Sequence, residues 1–363
     1  MLMHLLGSCG GRFNARWALL VLGLVGCEEI GLTPKSDPAP AMEQTVAPVA
    51  APPASDLSNL PSFGSGGLAA KTATTPEEFI ASFKTKPGHE ISDADLLKLA
   101  ETIPLNSEIT ELSLKGARIT KDGLAQFGRL PGLLRLDLTG CGVPGEDWAI
   151  LSTAAQLEEL ILEGSAISDT SIAAITPLVN LRKLNISRTT VTDQGFNHLT
   201  KLSRLEHINC GGNQITGAGF EAFTAKYAKA PLKEIYVTNT GFGTYGFEHL
   251  DGINSIEVLA AGEAGVTDPA LKSIRGCKNM RVLYLGKNPV SDQGLKILSG
   301  MDALEDLDVT GCNLVSNFTL EKIKNHKSLK NLGAASTACN LAGIQELKKY
   351  LPSCVIVFNG MKY

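Results

Sequence analysis

The chain lacks the short motifs in which most enzyme chemistry is written. Its 8 cysteines contain no C-x-x-C pair, and there is no H-E-x-x-H, no G-x-S-x-G and no P-loop. Clustered zinc sites, zinc-dependent hydrolysis, nucleophile elbows and phosphate cradles therefore have no sequence support. A basic excess is missing too: 33 Lys and Arg face 37 Asp and Glu, for a net charge of −4, which argues against a nucleic-acid partner. Aromatic residues make up only 6% of the chain. No apolar run reaches the roughly 20 residues that a membrane-spanning helix needs. What is plentiful is hydrophobic residues, at 44%, and glycine, at 37. The first excludes wholesale disorder, and the second recurs with a period.

The amino terminus reads as an address. Arg12 and Arg16 precede an apolar run at 17–25, the length of a secretory h-region behind a basic n-region. The run ends Leu24-Val25-Gly26-Cys27, which resembles the lipobox of bacterial lipoproteins. That resemblance implies cleavage between Gly26 and Cys27 and acylation of Cys27, so that the lipid bilayer is one partner. The leader before the run is long, which leaves Met3 as an alternative start. Loss of Arg12 and Arg16 with the leader would take the net charge from −4 to −6, so attachment would rest on acyl chains rather than on charge. Glu28 and Glu29 follow the cysteine where an Asp would signal inner-membrane retention, which favours the outer membrane. Residues 28–75 are rich in Pro, Ala and Ser and cannot bury enough apolar surface to offset ordering entropy. As a coil they would reach about 40 Å, a tether off the membrane.

From Ile109 onward apolar residues recur as L-x-x-L-x-L, with an Ile or Val five residues later and a second group at helical spacing. The units start at Ile109, Leu133, Leu157, Leu181, Leu205, Leu232, Ile256, Met280, Leu304 and Leu329, spaced by 24 residues except 27 after Leu205 and 25 after Leu304. Val191-Thr192-Asp193-Gln194-Gly195-Phe196 returns as Val290-Ser291-Asp292-Gln293-Gly294-Leu295. L-x-L alternation suits a strand with one buried face, and Phe196, Leu199 and Leu202 line one helix face. Thr192 and Asp193 stand where side-chain oxygens cap free N–H groups. Gly123, Gly195, Gly219, Gly246 and Gly294 share a column expected to pack tightly at the turn into the helix.

Over about 108–353 these repeats resemble the leucine-rich repeat family, closest to its bacterial 24-residue and cysteine-containing "ITDxGL" subtypes. The resemblance implies an α/β solenoid of about ten repeats, with parallel strands on the concave face and helices on the convex face. Eight residues after each start stand Ala117, Cys141, Ser165, Thr189, Asn213, Thr240, Ala264, Asn288, Cys312 and Thr337. In the family this place bonds the backbone of neighbouring turns, so Ala117 and Ala264 should mark weaker junctions. Stacked units need caps. The expected organisation is a signal segment at 1–26, a lipidated tether at 27–75, a leading cap at 76–107 around Leu96, Leu99 and Ile103, repeats at 108–353, and a cap strand at 354–363.

Other chemical signals yield to the repeat. Gly241-Phe242-Gly243-Thr244-Tyr245-Gly246 fits a dinucleotide fingerprint, but Phe242 and Gly246 occupy repeat columns, so no cofactor is expected. Inward solitary cysteines behave as small hydrophobes, although Cys312 and Cys339, on adjacent units, could pair in an oxidising envelope. His198 and His249 share a column but lie two units apart, too far to share a zinc ion, and read as solvated. On the strand face Tyr236, Val258, Val282 and Tyr284 gather over the sixth to eighth units, near Gly262 and Gly286. Exposed aromatics beside apolar neighbours suit an interface anchor; tyrosine and valine also suit exposed strands by ordinary propensity, which is the favoured reading.

The expected function is a noncatalytic, lipid-anchored recognition module that binds a protein or glycopeptide on its concave face. One alternative is an envelope spacer or self-assembling layer. Another is an F-box-type substrate-recognition protein, for which no F-box precedes residue 108.

Overall fold

The computed structural model describes residues 76–102, 109–221 and 232–363, all within one compact unit, Ala70–Tyr363. The signal segment, Cys27, the tether and Ile103 lie outside the described residues.

Each of the ten units contributes one three-residue strand: β1 (Glu111–Ser113), β2 (Arg135–Asp137), β3 (Glu159–Ile161), β4 (Lys183–Asn185), β5 (His207–Asn209), β6 (Glu234–Tyr236), β7 (Val258–Ala260), β8 (Val282–Tyr284), β9 (Asp306–Asp308) and β10 (Asn331–Gly333). They pair in chain order, all parallel, and β11 (Val355–Phe358) continues the series. β12 (Met361–Lys362) turns back antiparallel on β11, so the trailing cap is a hairpin rather than the single strand expected. The middle apolar residue of each L-x-x-L-x-L, isoleucine in the fifth and sixth units, aligns from strand to strand. The longer spacings leave this register intact, with Ile208 opposite Ile235 and Leu307 opposite Leu332.

The return segments differ from a uniform helix. Asp169–Ile175, Asp193–Leu199 and Asn317–Ile323 are α-helical, whereas Asp147–Thr153, Ala270–Ile274 and Gly294–Gly300 are 3-10. A 3-10 turn rises about 2.0 Å per residue, and the returns differ in winding more than in length: Asp147–Thr153 and Gly294–Gly300 have seven residues each, as Asp193–Leu199 does. Between the sheet and these returns runs one continuous core. Its centre includes the buried rings of Phe196, Phe220 and Phe242, with successive centroids 4.6 and 4.7 Å apart.

Three devices hold the units in phase. First, the residue seven after every start turns left-handed, with Gly at Gly116, Gly140, Gly164, Gly212 and Gly311 and other residues at Arg188, Asn239, Glu263, Lys287 and Ser336. Second, the next residue satisfies buried backbone. Cys141, Ser165, Asn213, Asn288 and Cys312 donate to the carbonyls of Leu114, Leu138, Ile186, Ala261 and Leu285 in the preceding unit, at 3.3, 2.6, 2.8, 2.7 and 3.2 Å. The threonines behave differently: Thr189, Thr240 and Thr337 donate within their own turn. The Ala264 junction is served from the next unit, where Asn288 Oδ1 accepts the Ala264 and Val266 N–H groups at 3.1 and 2.9 Å.

Third, a ladder of carboxylates runs along the helix starts. Asp169, Asp193, Asp268 and Asp292 accept the backbone N–H and hydroxyl of Thr192, Thr216, Ser291 and Ser316, each in the following unit. At Gly195 and Gly294 the shared glycine column makes room for these groups. A Cβ on Gly195 would meet Asp169 Oδ1 at 2.7 Å, and one on Gly294 would meet Asp268 Oδ1 at 2.4 Å. The leading segment joins the ladder. Helix Asp93–Thr102 buries Leu96 and Leu99 and presents Asp93 to the N–H and hydroxyl of Thr120 at 2.9 and 2.7 Å. It thus covers the first unit as an eleventh helix would.

Candidate functional site

Alternation sends every second strand residue away from the core, so β1 to β10 present two parallel columns on the concave side. At the sheet edge, one residue before these strands, stands a third column whose alternating signs sequence reasoning overlooked. Glu158, Arg182, Glu206 and Lys233 contact in succession at 3.7, 2.5 and 3.2 Å. Glu257, Arg281, Glu305 and Lys330 repeat the pattern at 3.9, 3.2 and 2.9 Å. Burial pushes the Glu206 carboxyl up, but hydrogen bonds from Lys233 and Arg182 outweigh it and hold it below the usual range. The hydrogen bonds from Arg281 and Lys330 lower Glu305 in the same direction. The signal was visible as opposite charges at 24-residue spacing. Exposed ion pairs add little stability, so the ladder mainly occupies its own charges and sets register.

The adjacent column begins similarly, with Glu111–Arg135 at 4.0 Å, Arg135–Glu159 at 3.3 Å and Glu159–Lys183 at 4.0 Å. It changes character at the fifth and sixth units. Glu234 Oε2 lies 2.8 Å from His207 Nδ1 and accepts the Tyr236 hydroxyl at 2.9 Å. Beyond Glu234 the column reads Val258, Val282, Asp306 and Asn331, beside Tyr236, Ala260, Tyr284 and Asp308.

The structure brings Tyr236, Val258, Val282 and Tyr284 together over β6 to β8, but not as exposed anchors. Val258 is 6% and Tyr284 9% exposed, while Tyr236 and Val282 are half-buried. Strands about 4.8 Å apart bring side chains of one column into contact. Ala260, only 2% exposed, stands in register between Tyr236 and Tyr284, and Val258 between Glu234 and Val282. The correction is physical: large side chains on adjacent parallel strands cover one another and their small neighbours. What remains is a low apolar ridge with carboxylates at both ends, Glu234 on one side and Asp306 and Asp308 on the other. Asp308 lies where Gly286 and Gly333 leave room, since a Cβ on Gly333 would meet its Oδ1 at 2.3 Å. Burial pushes the Asp308 carboxyl above its ordinary range despite the hydrogen bonds from Thr310.

Other expectations resolve here. Cys141, Cys210, Cys277, Cys312, Cys339 and Cys354 are all free and buried. The Cys312–Cys339 pairing is therefore not formed: Cys312 points to the Leu285 carbonyl and Cys339 to that of Val315, at 3.2 and 3.8 Å. Burial pushes the thiols of Cys141, Cys277, Cys312 and Cys354 up to about 11. The glycine fingerprint at 241–246 is packing: Phe242 is buried against Phe220 and Phe247, and a Cβ on Gly246 would strike the Phe242 ring at 2.5 Å. His198 and His249 are half-buried rather than fully solvated, and His249 packs edge-on against Tyr245 with centroids 4.8 Å apart. Among the described residues no three His, Cys, Asp or Glu side chains are grouped to hold a metal ion.

The family model described as "Leucine Rich repeat" matches residues 276–299. No curated protein matches the chain by sequence. Among solved structures the chain is similar to an internalin from Listeria monocytogenes, at 15% identity over 76% of this chain and 92% of that one, with a TM-score of 0.37. It is also similar to the Arabidopsis receptor kinase HAESA, solved with the peptide hormone IDA and the co-receptor SERK1. There the identity is 15% over 68% of this chain and 46% of that one, with a TM-score of 0.48. With one parallel strand per unit in chain order, short helical returns, and a leucine-rich repeat matched at 276–299, the fold is an α/β leucine-rich-repeat solenoid.

Proposed function

We propose that this protein is a noncatalytic recognition module, lipid-anchored through Cys27 in a bacterial cell envelope, on the outer membrane, that binds a protein or glycopeptide partner on its concave face. The observation that carries the reading is the change of character along the strand face. In the first four units and along the sheet edge, most charged groups contact one another. Over β6 to β9 the face offers instead the half-buried Tyr236 and Val282, bordered by Glu234, Asp306 and Asp308, with no Lys or Arg in either outward column. Such a surface suits a segment that sets an apolar side chain on the ridge and a Lys or Arg beside it.

A photo-crosslinking residue at Val282, in tagged protein expressed in a bacterial envelope, identifies the partner. Affinity for that purified partner is then measured for Val282→Arg and Tyr236→Ala against Lys349→Ala on the helical side. The first two should bind at least tenfold more weakly, about 1.4 kcal/mol, and equal affinity in all three would remove the ridge as the site. Anchoring is tested by incorporation of labelled palmitate into wild type and not into Cys27→Ala.

A further inference from the structure

On the helical side, the seventh and eighth units form an open cleft of about 580 Å³ lined by Lys272, Arg275, Lys278 and Lys296. Its charge stands out in a chain whose net charge is −4. Among the described residues none of these four cations is paired with a carboxylate, whereas Arg182, Lys233, Arg281 and Lys330 on the strand side all are. The one acid lining the cleft, Asp268, is already engaged: its two oxygens accept the N–H and hydroxyl of Ser291 at 2.7 and 2.5 Å. The walls therefore carry four cations and one committed carboxylate.

The repeat explains why these charges converge. Lys272 and Lys296 occupy the same place in successive units, sixteen residues after Ile256 and Met280. The corresponding residues of the two preceding units are Glu221 and Glu248. Lys272 and Arg275 are three apart around the 3-10 turn Ala270–Ile274, a spacing that eclipses side chains. Lys278 is held at the wall by the Gly300 carbonyl, to which its ammonium donates at 3.2 Å. Stacked like charges repel, and a multivalent anion turns that repulsion into attraction.

We infer that this cleft binds a phosphorylated ligand bearing two or more phosphate groups. Phosphate oxygens take several charge-assisted hydrogen bonds at once, from the fork of Arg275 and the ammonium groups of Lys272, Lys278 and Lys296. The volume falls in the range of small-molecule sites, about 300–1,000 Å³, which exceeds the need of a single phosphate. Ile297, 8% exposed, and Pro269 give the lining an apolar part for the group that bears the phosphates. The site lies on the opposite side from the concave ridge, so either can fail without the other.

The test titrates purified full-length protein with inorganic pyrophosphate by calorimetry. In parallel, flotation is measured with vesicles of phosphatidylcholine with and without cardiolipin, whose headgroup carries two phosphates. Lys272→Ala, Arg275→Ala, Lys296→Ala and the triple variant are compared with Lys115→Ala on the strand side. These side chains are exposed, so far-UV circular dichroism should be unchanged. Wild type and Lys115→Ala should bind alike, each single cleft variant about tenfold more weakly, and the triple variant not measurably. Binding of pyrophosphate assigns a soluble ligand, and binding of cardiolipin vesicles alone assigns a lipid headgroup; both support the site. Wild type binding neither probe, or the triple variant binding as tightly as wild type, would overturn it.

Discussion

Asp169 fastens the start of its own helix to the next unit: Oδ1 accepts the Thr192 backbone N–H at 2.8 Å, and Oδ2 accepts the Thr192 hydroxyl at 2.7 Å. Thr192 in turn accepts the N–H of Gln194 at 3.3 Å, so the cap of one helix is positioned by the carboxylate of the one before. Asp169→Ala should lower stability by about 1.5–3 kcal/mol, the range for hydrogen bonds to a charged group. Asp169→Asn, which keeps an acceptor, should lose less. Urea unfolding followed by circular dichroism measures both.

Asn288 serves two turns from a buried position, donating to the Ala261 and Leu285 carbonyls and accepting the N–H groups of Ala264 and Val266. Asn288→Ala strands several of these groups, at about 1–3 kcal/mol for each left unsatisfied. Thr337→Ala, whose hydroxyl donates to the Ala334 carbonyl and accepts the Cys339 N–H, both within its own turn, should cost less. Because units contact mainly their neighbours, hydrogen exchange in Asn288→Ala should quicken first in the seventh and eighth units.

Gly164 isolates a backbone effect. Its φ is +63° and an added Cβ would meet nothing within 4 Å. Gly164→Ala should therefore cost about 1–2 kcal/mol purely from the left-handed conformation. Glu263→Gly, at the equivalent place with φ 53°, should be neutral or stabilising, a reversal of the usual penalty for introducing glycine. Paired melting curves test the reversal.

Asp308 gives a pH signature. Burial raises its carboxyl above the ordinary 3.8, so the folded state holds this proton more tightly than the unfolded state. Its contribution to stability is full below about 3.8 and is lost as pH rises through the folded value. Asp308→Asn should therefore be more stable than wild type at neutral pH, with the gain vanishing near pH 4. An unchanged difference across that window would sink the assignment.

The buried thiols should be silent in the native protein. With Cys141, Cys277, Cys312 and Cys354 pushed up to about 11, almost no thiolate exists at pH 8. A disulfide-exchange reagent should titrate the six described cysteines only after denaturation, and without prior reduction, since all six are free.

Much of this was legible because the repeat is periodic. The aligned middle apolar residues from Leu112 to Leu332, the tight glycine column and the backbone-bonding column were readable as positions, since each unit meets the same neighbours. Less visible was direction. Asp193 read as a cap for its own helix, yet it reaches Thr216 one unit on. The left-handed column escaped notice because half its members, such as Arg188 and Lys287, are not glycine. The carboxylate ladder and the left-handed turn both depend on the stacked neighbour for their justification.

Sequence alone determined that the units stack, in what phase, and which side chains turn inward, because a period of 24 with L-x-L alternation admits one way to bury its leucines. Only the tertiary structure decided how open each outward side chain is. Tyr284 and Val258 lie in outward columns yet are nearly covered, while Lys272 and Lys296, whose charges are plain in the sequence, prove to line a common cleft. Exposure depends on the size of residues that sit beside one another across strands and helices, and those neighbours are a unit apart in the chain.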